Sequence, residues 1–229
     1  MDLLYVLGPG SVWQDNELRY SLRSVEQYLP HDRVVIAGHL PPWLVNVVHV
    51  DIPSYSADGI ANTWNKVLMC AVRGEVSGDF LLMNDDFLAT GPIAQVPSFS
   101  SGPVYDRLVA RDMHGNYRAA LNRSYDLLRS TGHPYPLAFE THHPLPMHAQ
   151  HVLDMHRRYP MRSSTYAWRT VYGNFTDAEP TITGDVKART EFHPPTGVWY
   201  SYGDKVAAQP EFRSWCASKW PEASRYERE

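Results

Sequence analysis

The chain has little cysteine and no long apolar run. Only Cys70 and Cys216 occur among 229 residues, without a Cys-x-x-Cys pair, which argues against a disulfide scaffold or a zinc ribbon. The opening apolar segment, residues 3–7, is short and ends in Gly8-Pro9-Gly10, unlike a secretory leader or a membrane span. We therefore expect two reduced thiols in a soluble, cytoplasmic protein that has no membrane partner.

A positive overall charge is also lacking, since the net charge of -4 gives no global attraction to nucleic acid. The charge is uneven, however. Residues 107–169 hold nine arginines and four acidic side chains, a net charge of +5, so the remainder carries about -9. The same residues include five tyrosines and a tryptophan: Tyr117, Tyr125, Tyr135, Tyr159, Tyr166 and Trp168. This central Arg/Tyr-rich stretch could hold a phosphorylated donor, a polyanionic acceptor or single-stranded nucleic acid, or could simply form solvated helix faces.

Hydrophobic residues make up 43% of the chain, which is enough for one full core at this length. Apolar periodicity in the first 90 residues predicts strand, helix, strand, strand, helix and strand, in that order. The predicted ranges are 2–7, 17–29, 33–37, 45–50, 60–72 and 79–83. This alternation indicates an α/β fold with a mostly parallel sheet.

After Thr90 the pattern weakens, because Pro92, Pro97 and Pro103 interrupt any regular element. Helices are predicted at 117–130, 147–158, 165–175 and 205–219, with a loop rich in Pro and His at 133–146 and short strands or loop at 183–202. We expect a single domain. Within it, residues 1–95 would form a nucleotide- and metal-binding core, and residues 96–229 an acceptor-side insertion and helical cap.

Asn84-Asp85-Asp86 follows directly after the apolar strand at 79–83, at the carboxyl edge where α/β sheets bind ligands. Paired carboxylates suit Mg²⁺ or Mn²⁺, which would bridge them to a diphosphate and neutralise the charge on a departing nucleotide. Adjacent residues of an extended strand point opposite ways, so both carboxylates can bind one ion only if the strand has already turned. The alternative is plain turn chemistry. The leading hypothesis is a metal-assisted transferase that uses a nucleotide-activated donor.

Two further segments are candidates for donor binding. The loop Gly8-Pro9-Gly10-Ser11 could bring backbone N–H groups close to a phosphate, although a tight turn explains it equally well. It lacks the third glycine of a dinucleotide fingerprint and a following Gly-Lys-Ser/Thr, which disfavours a Rossmann dehydrogenase or a P-loop enzyme. Asn62 and Lys66 share one face of a predicted helix, where Lys66 could reach a phosphate or remain a surface lysine.

Five landmarks occur in one order along nearly the whole chain: Glu17-Leu18-Arg19-Tyr20-Ser21-Leu22-Arg23-Ser24, Pro42-Trp43-Leu44, Asn84-Asp85-Asp86, Thr141-His142-His143-Pro144, and Trp220-Pro221-Glu222-Ala223-Ser224-Arg225-Tyr226-Glu227. Together they resemble the motifs of the Stealth proteins, a family of sugar-phosphate transferases. The chain departs from that family after the first strand, where Gly8-Pro9-Gly10-Ser11 lacks the expected acidic positions. It also resembles small glycosyltransferases of bacterial viruses.

The resemblance implies a GT-A-like nucleotide-binding core and a metal-dependent reaction. A sugar or a sugar phosphate would pass from a nucleotide sugar to an acceptor hydroxyl, on a glycan or on DNA that carries a hydroxylated base. His142 would be the general base or a phosphate contact, and Arg169 would stabilise the transferring phosphate or the leaving nucleotide. Asp204 would complete the metal or substrate shell, with Asn174 as a further candidate.

The predicted site therefore comprises three groups: His142, Arg169 and Asp86 as catalytic residues; Gly8, Gly10, Ser11, Arg19, Asn62, Lys66 and Asn84 as donor-binding residues; and Asp85, Asp86 and Asp204 as ligands of Mg²⁺ or Mn²⁺. Two other classes of protein remain open. One is a non-catalytic nucleic-acid-binding module built on the central Arg/Tyr-rich stretch, whose binding would depend steeply on salt. The other is a sugar-binding protein that has lost catalysis.

Overall fold

The computed structural model describes residues 1–110, 115–159, 161 and 165–228. The strands are β1 (Asp2–Leu7), β2 (Val34–Gly38), β3 (Val48–Val50), β4 (Asp79–Met83), β5 (Phe87–Ala89), β6 (Phe99–Ser100), β7 (Leu145–His148), β8 (Thr181–Ile182), β9 (Lys187–Ala188) and β10 (Trp199–Tyr202). The helices are α1 (Asn16–Tyr28), α2 (Gly59–Arg73), α3 (Val104–Val109), α4 (Gly115–Ser130), α5 (Ala149–Arg158), α6 (Trp168–Phe175), α7 (Asp204–Ala207) and α8 (Pro210–Lys219).

A five-stranded sheet in the order β3-β2-β1-β4-β7 forms the centre of the fold. Strand β1 pairs in parallel with both β2 and β4, and β2 pairs in parallel with β3, so the carboxyl ends of these strands share one edge. Only β7 runs antiparallel, alongside β4. The predicted α/β fold with a mostly parallel sheet is confirmed.

Each face of the central sheet is buried, because side chains alternate between two apolar clusters. Leu4, Val35 and Phe80 point to the face covered by α2, α5 and α6. Their neighbours Leu3 and Leu81 point to the opposite face, which α1 covers with its apolar stripe. A strand buried on both sides needs apolar residues at every position, which explains the continuous apolar sequence of β1.

Helix α2 begins and ends on side-chain and backbone features that the sequence encodes. The carboxylate of Asp58 accepts hydrogen bonds from the backbone N–H groups of Ile60 and Ala61, as expected of an N-cap. The helix ends at Gly74, whose φ of 68° is left-handed and therefore favours glycine. Asp58 therefore fixes the start of α2 at the carboxyl edge of the sheet, and Gly74 fixes its end.

The second half of the chain contributes a smaller sheet, β5-β10-β9, and a parallel pair, β6-β8. Strand β10 pairs with β5 directly after the Asn84-Asp85-Asp86 turn, and an aromatic cluster that includes Tyr202, Phe212 and Trp220 packs α8 against it. The division of the chain at residue 95 stays a prediction. The central sheet nevertheless includes β7, which lies after residue 95 in the chain.

The carboxyl-terminal tail contacts the first helix. The carboxylate of Glu227, only 2% exposed, accepts hydrogen bonds from Arg19 Nη1 at 2.8 Å and from Arg23 Nε and Nη2 at 2.7 Å. Burial alone would raise the pKa of Glu227, but the bonds from Arg23 and from the Ser224 N–H outweigh it and lower the pKa. This ion pair joins residues about two hundred positions apart in sequence.

Several predicted elements differ from the structure. Residues 145–148 were predicted as the end of a loop and the start of a helix, but they form β7, and α5 begins only at Ala149. Leu145 and Met147 pack inward on the open edge of β4, where a strand tolerates Pro146. The helix predicted at 205–219 is two helices, because Pro210 lacks the N–H group that a continuous helix requires. Elements β5, β6, β8 and α3 were not predicted.

Within the described parts of the chain, no helix is long and apolar enough to cross a bilayer.

Gly38 provides a test of the sheet edge. Its φ is +107°, and a Cβ added there would lie 2.3 Å from the Leu7 carbonyl oxygen and 2.6 Å from Lys66 Nζ. We expect Gly38→Ala to lower the free energy of unfolding by about 2 kcal/mol more than Gly10→Ala. Gly10 has a similar φ of +110° but no atom within 4 Å of an added Cβ, which makes it a matched control. Equal losses in urea denaturation would contradict the packing argument.

Candidate active site

A cleft of about 1010 Å³ opens at the carboxyl edge of the central sheet. Leu82 and Asn84 contribute its wall at the end of β4, and Asp58 and Gly59 contribute the start of α2. The opposite wall comes from the second half of the chain: Arg107, Asn116, Tyr117, Glu140, Thr141, His142, Trp168, Arg169, Asp185 and Arg189. The cleft therefore lies where parallel α/β sheets bind ligands.

Arg169 is the most deeply placed cation of the cleft, at 8% exposure. Its Nη2 group donates to the carbonyl oxygen of His143, while its Nε group has no hydrogen-bond partner among the described residues. Burial lowers the pKa of Arg169, and the negative charge of Glu140 opposes that shift. Because a guanidinium keeps its proton in proteins, Arg169 presents a fixed positive charge with one unused donor.

Glu140 lies beside Arg169, and its negative charge favours the protonated guanidinium. Burial raises the pKa of Glu140, while the charge of Arg169, the Thr170 N–H group at 3.1 Å and the hydroxyl of Tyr117 counteract that rise. Sequence reasoning identified Arg169 but missed Glu140 and Tyr117 as its neighbours. The position of Glu140, directly before the Thr141-His142 motif, was the available signal.

His142 forms a close pair with Asp185. Its Nδ1 atom lies 2.8 and 2.9 Å from the two carboxylate oxygens of Asp185, which also accepts a bond from Arg189 Nη2 at 2.9 Å. Burial alone would raise the pKa of Asp185, but the hydrogen bond and charge of His142 outweigh it and lower the pKa to about 2. All three residues line the cleft. The sequence predicted His142 but gave no signal for Asp185.

The chain turns at Asp85 and Asp86, and the Phe87 N–H group donates to the carbonyl oxygen of Asn84 at 3.2 Å. Such a turn is what binding of one metal ion by both carboxylates requires. One oxygen of Asp86 accepts from Lys187 Nζ at 2.9 Å and from Ser201 Oγ at 2.7 Å. Burial, followed by the charges of Asp86 and Glu17, raises the pKa of Asp85 to about 7. Burial and the two neighbouring carboxylates therefore disfavour the ionised form of Asp85.

The fit of Asp85 and Asp86 to Mg²⁺ or Mn²⁺ depends on how many other ligands lie near them. Asp204 is exposed at the first turn of α7, and no set of three His, Cys, Asp or Glu side chains in the described ranges is arranged to hold a metal ion. Asp85 and Asp86 alone suit an ion whose other ligands are water and phosphate oxygens, which is how Mg²⁺ is commonly bound. A divalent cation beside Asp85 would offset the burial and the repulsion from Asp86 and Glu17 that raise its pKa. The three-residue set that includes Asp204 stays a prediction.

Several predicted donor residues have other partners. The side chain of Asn62 bonds the backbone of Tyr55 and Ser56, and Asn174 bonds both backbone groups of Leu137. Lys66, at 3% exposure, donates from Nζ to the Leu7 carbonyl oxygen, and burial lowers the pKa of this lysine. It is therefore not a surface lysine, but lies under the end of β1.

The first loop and α1 also have local roles. Ser11 Oγ donates to Glu17 and accepts from the Trp13 and Asp15 N–H groups, which shapes the entry into α1. Gly8 and Gly10 border this loop, and Arg19 stacks over the ring of Trp43 at 4.4 Å while bonding the tail. The predicted site residues that the structure brings together on the cleft wall are His142, Arg169 and Asn84.

The central Arg/Tyr-rich stretch does not form one uniform basic face in the parts that the structure describes. Arg118, Arg123 and Arg129 each bond a backbone carbonyl oxygen of a neighbouring segment. Arg111 and Arg162 lie outside the described residues. Arg107 and Arg169 line the cleft, so this stretch contributes its positive charge to the same site as the end of β4.

The sheet, its crossover helices and the cleft at its carboxyl edge define a GT-A-like α/β fold. The chain is similar to the solved structure of the galactosyltransferase LgtC in complex with donor and acceptor sugar analogs, with a TM-score of 0.54 and 12% identity over 96% of this chain and 94% of that one. The apo-form glycosyltransferase GlyE of Streptococcus pneumoniae TIGR4 aligns less well, with a TM-score of 0.29 and 9% identity over 72% of this chain and 44% of that one.

No protein-family model matches the sequence, and no curated protein does. At 12% identity, the likeness to LgtC shows the fold and not the activity. The resemblance to the Stealth family and to transferases of bacterial viruses therefore stays a prediction.

Asp85→Asn tests the charge at the end of β4. The folded pKa of about 7 exceeds the ordinary 3.8, so the protonated form contributes stability that is full below pH 3.8 and is lost as the pH rises through 7. We expect the variant to match the parent protein at low pH and to be more stable by about 2 kcal/mol at pH 8, a figure reduced for partial exposure. Denaturant unfolding at both pH values, with Asp79→Asn as control, measures this. A gain that is independent of pH would contradict the assignment.

Proposed function

We propose that the protein is a glycosyltransferase that moves a sugar from a nucleotide-sugar donor to a hydroxyl group of an acceptor glycan. One observation carries the proposal. The cleft at the end of β4 brings the buried guanidinium of Arg169 and the amide of Asn84 to one site, within a GT-A-like fold. A phosphorylated sugar needs these two kinds of group: a fixed cation for the phosphate and an amide for its hydroxyls.

Arg169 would act on the leaving group. When the bond between the sugar and the nucleotide breaks, negative charge develops on a phosphate oxygen, and a preorganised cation lowers the barrier by stabilising that charge. The effect is stronger in a partly dry cleft than in water. The carbonyl oxygen of His143 accepts a bond from the guanidinium, and the charge of Glu140 attracts it, so Arg169 would be in place before the reaction.

The proposal includes a divalent cofactor. Asp85 and Asp86 would hold Mg²⁺ or Mn²⁺, and the ion would neutralise charge on the donor's diphosphate. Lys187 already bonds Asp86, so this lysine would remain beside the same carboxylate. Asp204 stays a proposed further ligand.

Two finer alternatives differ in the bond that breaks or in the acceptor. Transfer of a sugar phosphate, as the Stealth resemblance implies, would release a nucleoside monophosphate instead of a diphosphate. A DNA acceptor with a hydroxylated base is supported by the contribution of the central Arg/Tyr-rich stretch to the cleft wall through Arg107, Tyr117 and Arg169. A binding module that uses this stretch would bind DNA without consuming a donor.

The test is incubation with UDP-glucose, UDP-galactose, UDP-N-acetylglucosamine and GDP-mannose, with Mn²⁺ or Mg²⁺ and after chelation by EDTA. Acceptors are lactose, methyl glycosides and DNA that contains hydroxymethylcytosine. Anion-exchange chromatography identifies the nucleotide released. We expect a nucleoside diphosphate from at least one donor, with loss of activity in EDTA and in Asp85→Ala/Asp86→Ala.

Arg169→Lys sharpens the test, because lysine keeps the charge but loses the planar set of donors. We expect donor turnover to fall roughly 10²-fold. Arg157→Lys is the matched control, since Arg157 is exposed on α5 and pairs with Asp154. Release of a nucleoside monophosphate would replace glycosyl transfer by sugar-phosphate transfer. No release from any donor, with DNA binding retained, would favour the binding module.

A further inference from the structure

We propose that Asp185 is a positioning residue that fixes His142 as the general base for a single displacement, so that transfer inverts the configuration of the anomeric carbon. This inference rests on the proposed glycosyltransferase function. Asp185, which no sequence motif indicates, thereby takes a role in the reaction, and the stereochemistry of transfer is specified.

His142 is hydrogen-bonded by Asp185 at one of its two ring nitrogens. His142 Nδ1 contacts both carboxylate oxygens of Asp185, and the two residues lie 43 positions apart in sequence. Arg189 Nη2 and the Lys187 N–H group bond the same carboxylate, at 2.9 and 3.3 Å. Asp185 therefore has three donors around it, and its position relative to His142 is well defined.

This contact determines which ring nitrogen carries the proton. An ionised carboxylate only accepts hydrogen bonds, and the pKa of Asp185, at about 2, keeps it ionised at neutral pH. The hydrogen of the neutral ring must therefore lie on Nδ1, which leaves the lone pair on Nε2. Nε2 is the ring nitrogen away from Asp185, and no described residue bonds it, so it is available to a hydroxyl group in the cleft.

The neighbouring groups favour His142 over the alternatives. His143 is buried and stacked on Phe99, and burial lowers its pKa to about 4, which makes it a weak base. Arg189 and Lys187 flank Asp185 on its own segment, and Arg169 approaches from α6 through the carbonyl oxygen of His143. The other charged side chains named here, on Arg169, Lys187 and Arg189, are cations. The carboxylate of Asp185 is therefore the group that would stabilise a protonated His142 ring.

The proposed reaction forms one bond, breaks one bond and moves one proton. The acceptor oxygen attacks the anomeric carbon from the side opposite the diphosphate, and a new carbon–oxygen bond forms. The bond between the anomeric carbon and the phosphate oxygen breaks, and its electron pair leaves with the nucleoside diphosphate. The proton of the acceptor hydroxyl moves to His142 Nε2, and the imidazolium so formed donates from Nδ1 to Asp185. One displacement inverts the anomeric carbon.

Asp185→Asn separates this role from a structural one. The asparagine amide can donate to Nδ1, which moves the hydrogen to Nε2 and removes the lone pair from the cleft. We expect kcat to fall roughly 10²-fold or more, while the KM for the donor and the affinity for UDP or GDP by calorimetry stay unchanged. Asp185→Glu should recover part of the activity. Because the side chains of Asp185 and His142 are 32% and 28% exposed, the variant is expected to fold.

Asp154→Asn is the matched control, an exposed aspartate on α5 that bonds Gln150 and Arg157. Proton NMR of the earliest glycoside product, from an α-linked donor such as UDP-glucose and a methyl glycoside, should show a β linkage. A product that keeps the α configuration, or an Asp185→Asn enzyme with unchanged kcat, would overturn the inference while leaving glycosyl transfer intact. Failure to bind UDP or GDP and to consume any donor would overturn both proposals.

Discussion

The parallel pairing of β1 with β2 and β4 is the constraint on which the rest of the structure depends. Because Leu3 pairs with both Val34 and Leu81, three strands run in one direction and leave the sheet at the same edge. Helices then cover both faces, and the segments that follow each strand gather where the cleft opens. A single antiparallel strand, β7, closes the open side of β4 and carries the chain from Thr141-His142 back toward the sheet. The position of the cleft thus follows from backbone hydrogen bonding before any site residue is considered.

The buried pair of Arg169 and Glu140 shows how the cleft combines stability with binding. Removing two opposite charges from water costs free energy that their attraction only partly offsets, so further hydrogen bonds are needed. Glu140 has them from Thr170 and Tyr117, whereas Arg169 keeps one donor without a partner among the described residues. An unused buried donor of this kind destabilises the empty protein by about 1–3 kcal/mol. The Nε atom is enclosed in the protein, so a phosphate in the cleft would act on Arg169 through its charge and not through this donor.

The predictability of each element depended on how local its cause was. Strands β1 and β4 were predicted to the residue, because their apolar runs are buried whatever their neighbours do. Helices α1 and α2 were predicted from the spacing of their apolar residues. Strand β7 was missed because Leu145-Pro146-Met147-His148 becomes a strand only by pairing with β4.

The predictability of the site residues depended on the same distinction between local and distant causes. His142 and Arg169 were identified through a family resemblance, and both line the cleft. Their partners Asp185 and Glu140 were not, because those pairs lie 43 and 29 positions apart in sequence and leave no periodic trace.

The bond between Glu227 and the first helix has a consequence for biosynthesis. The strands β1 to β4 lie within the first 83 residues, so the parallel core of the sheet can assemble while the chain is still being translated. Arg19 and Arg23 must nevertheless wait for a carboxylate that is made 208 and 204 residues later. At ordinary ribosomal speed that interval is roughly ten seconds or more. Until then α1 can pack on the sheet only through its apolar residues, so the ion pair with Glu227 is among the last contacts of α1 that synthesis makes available.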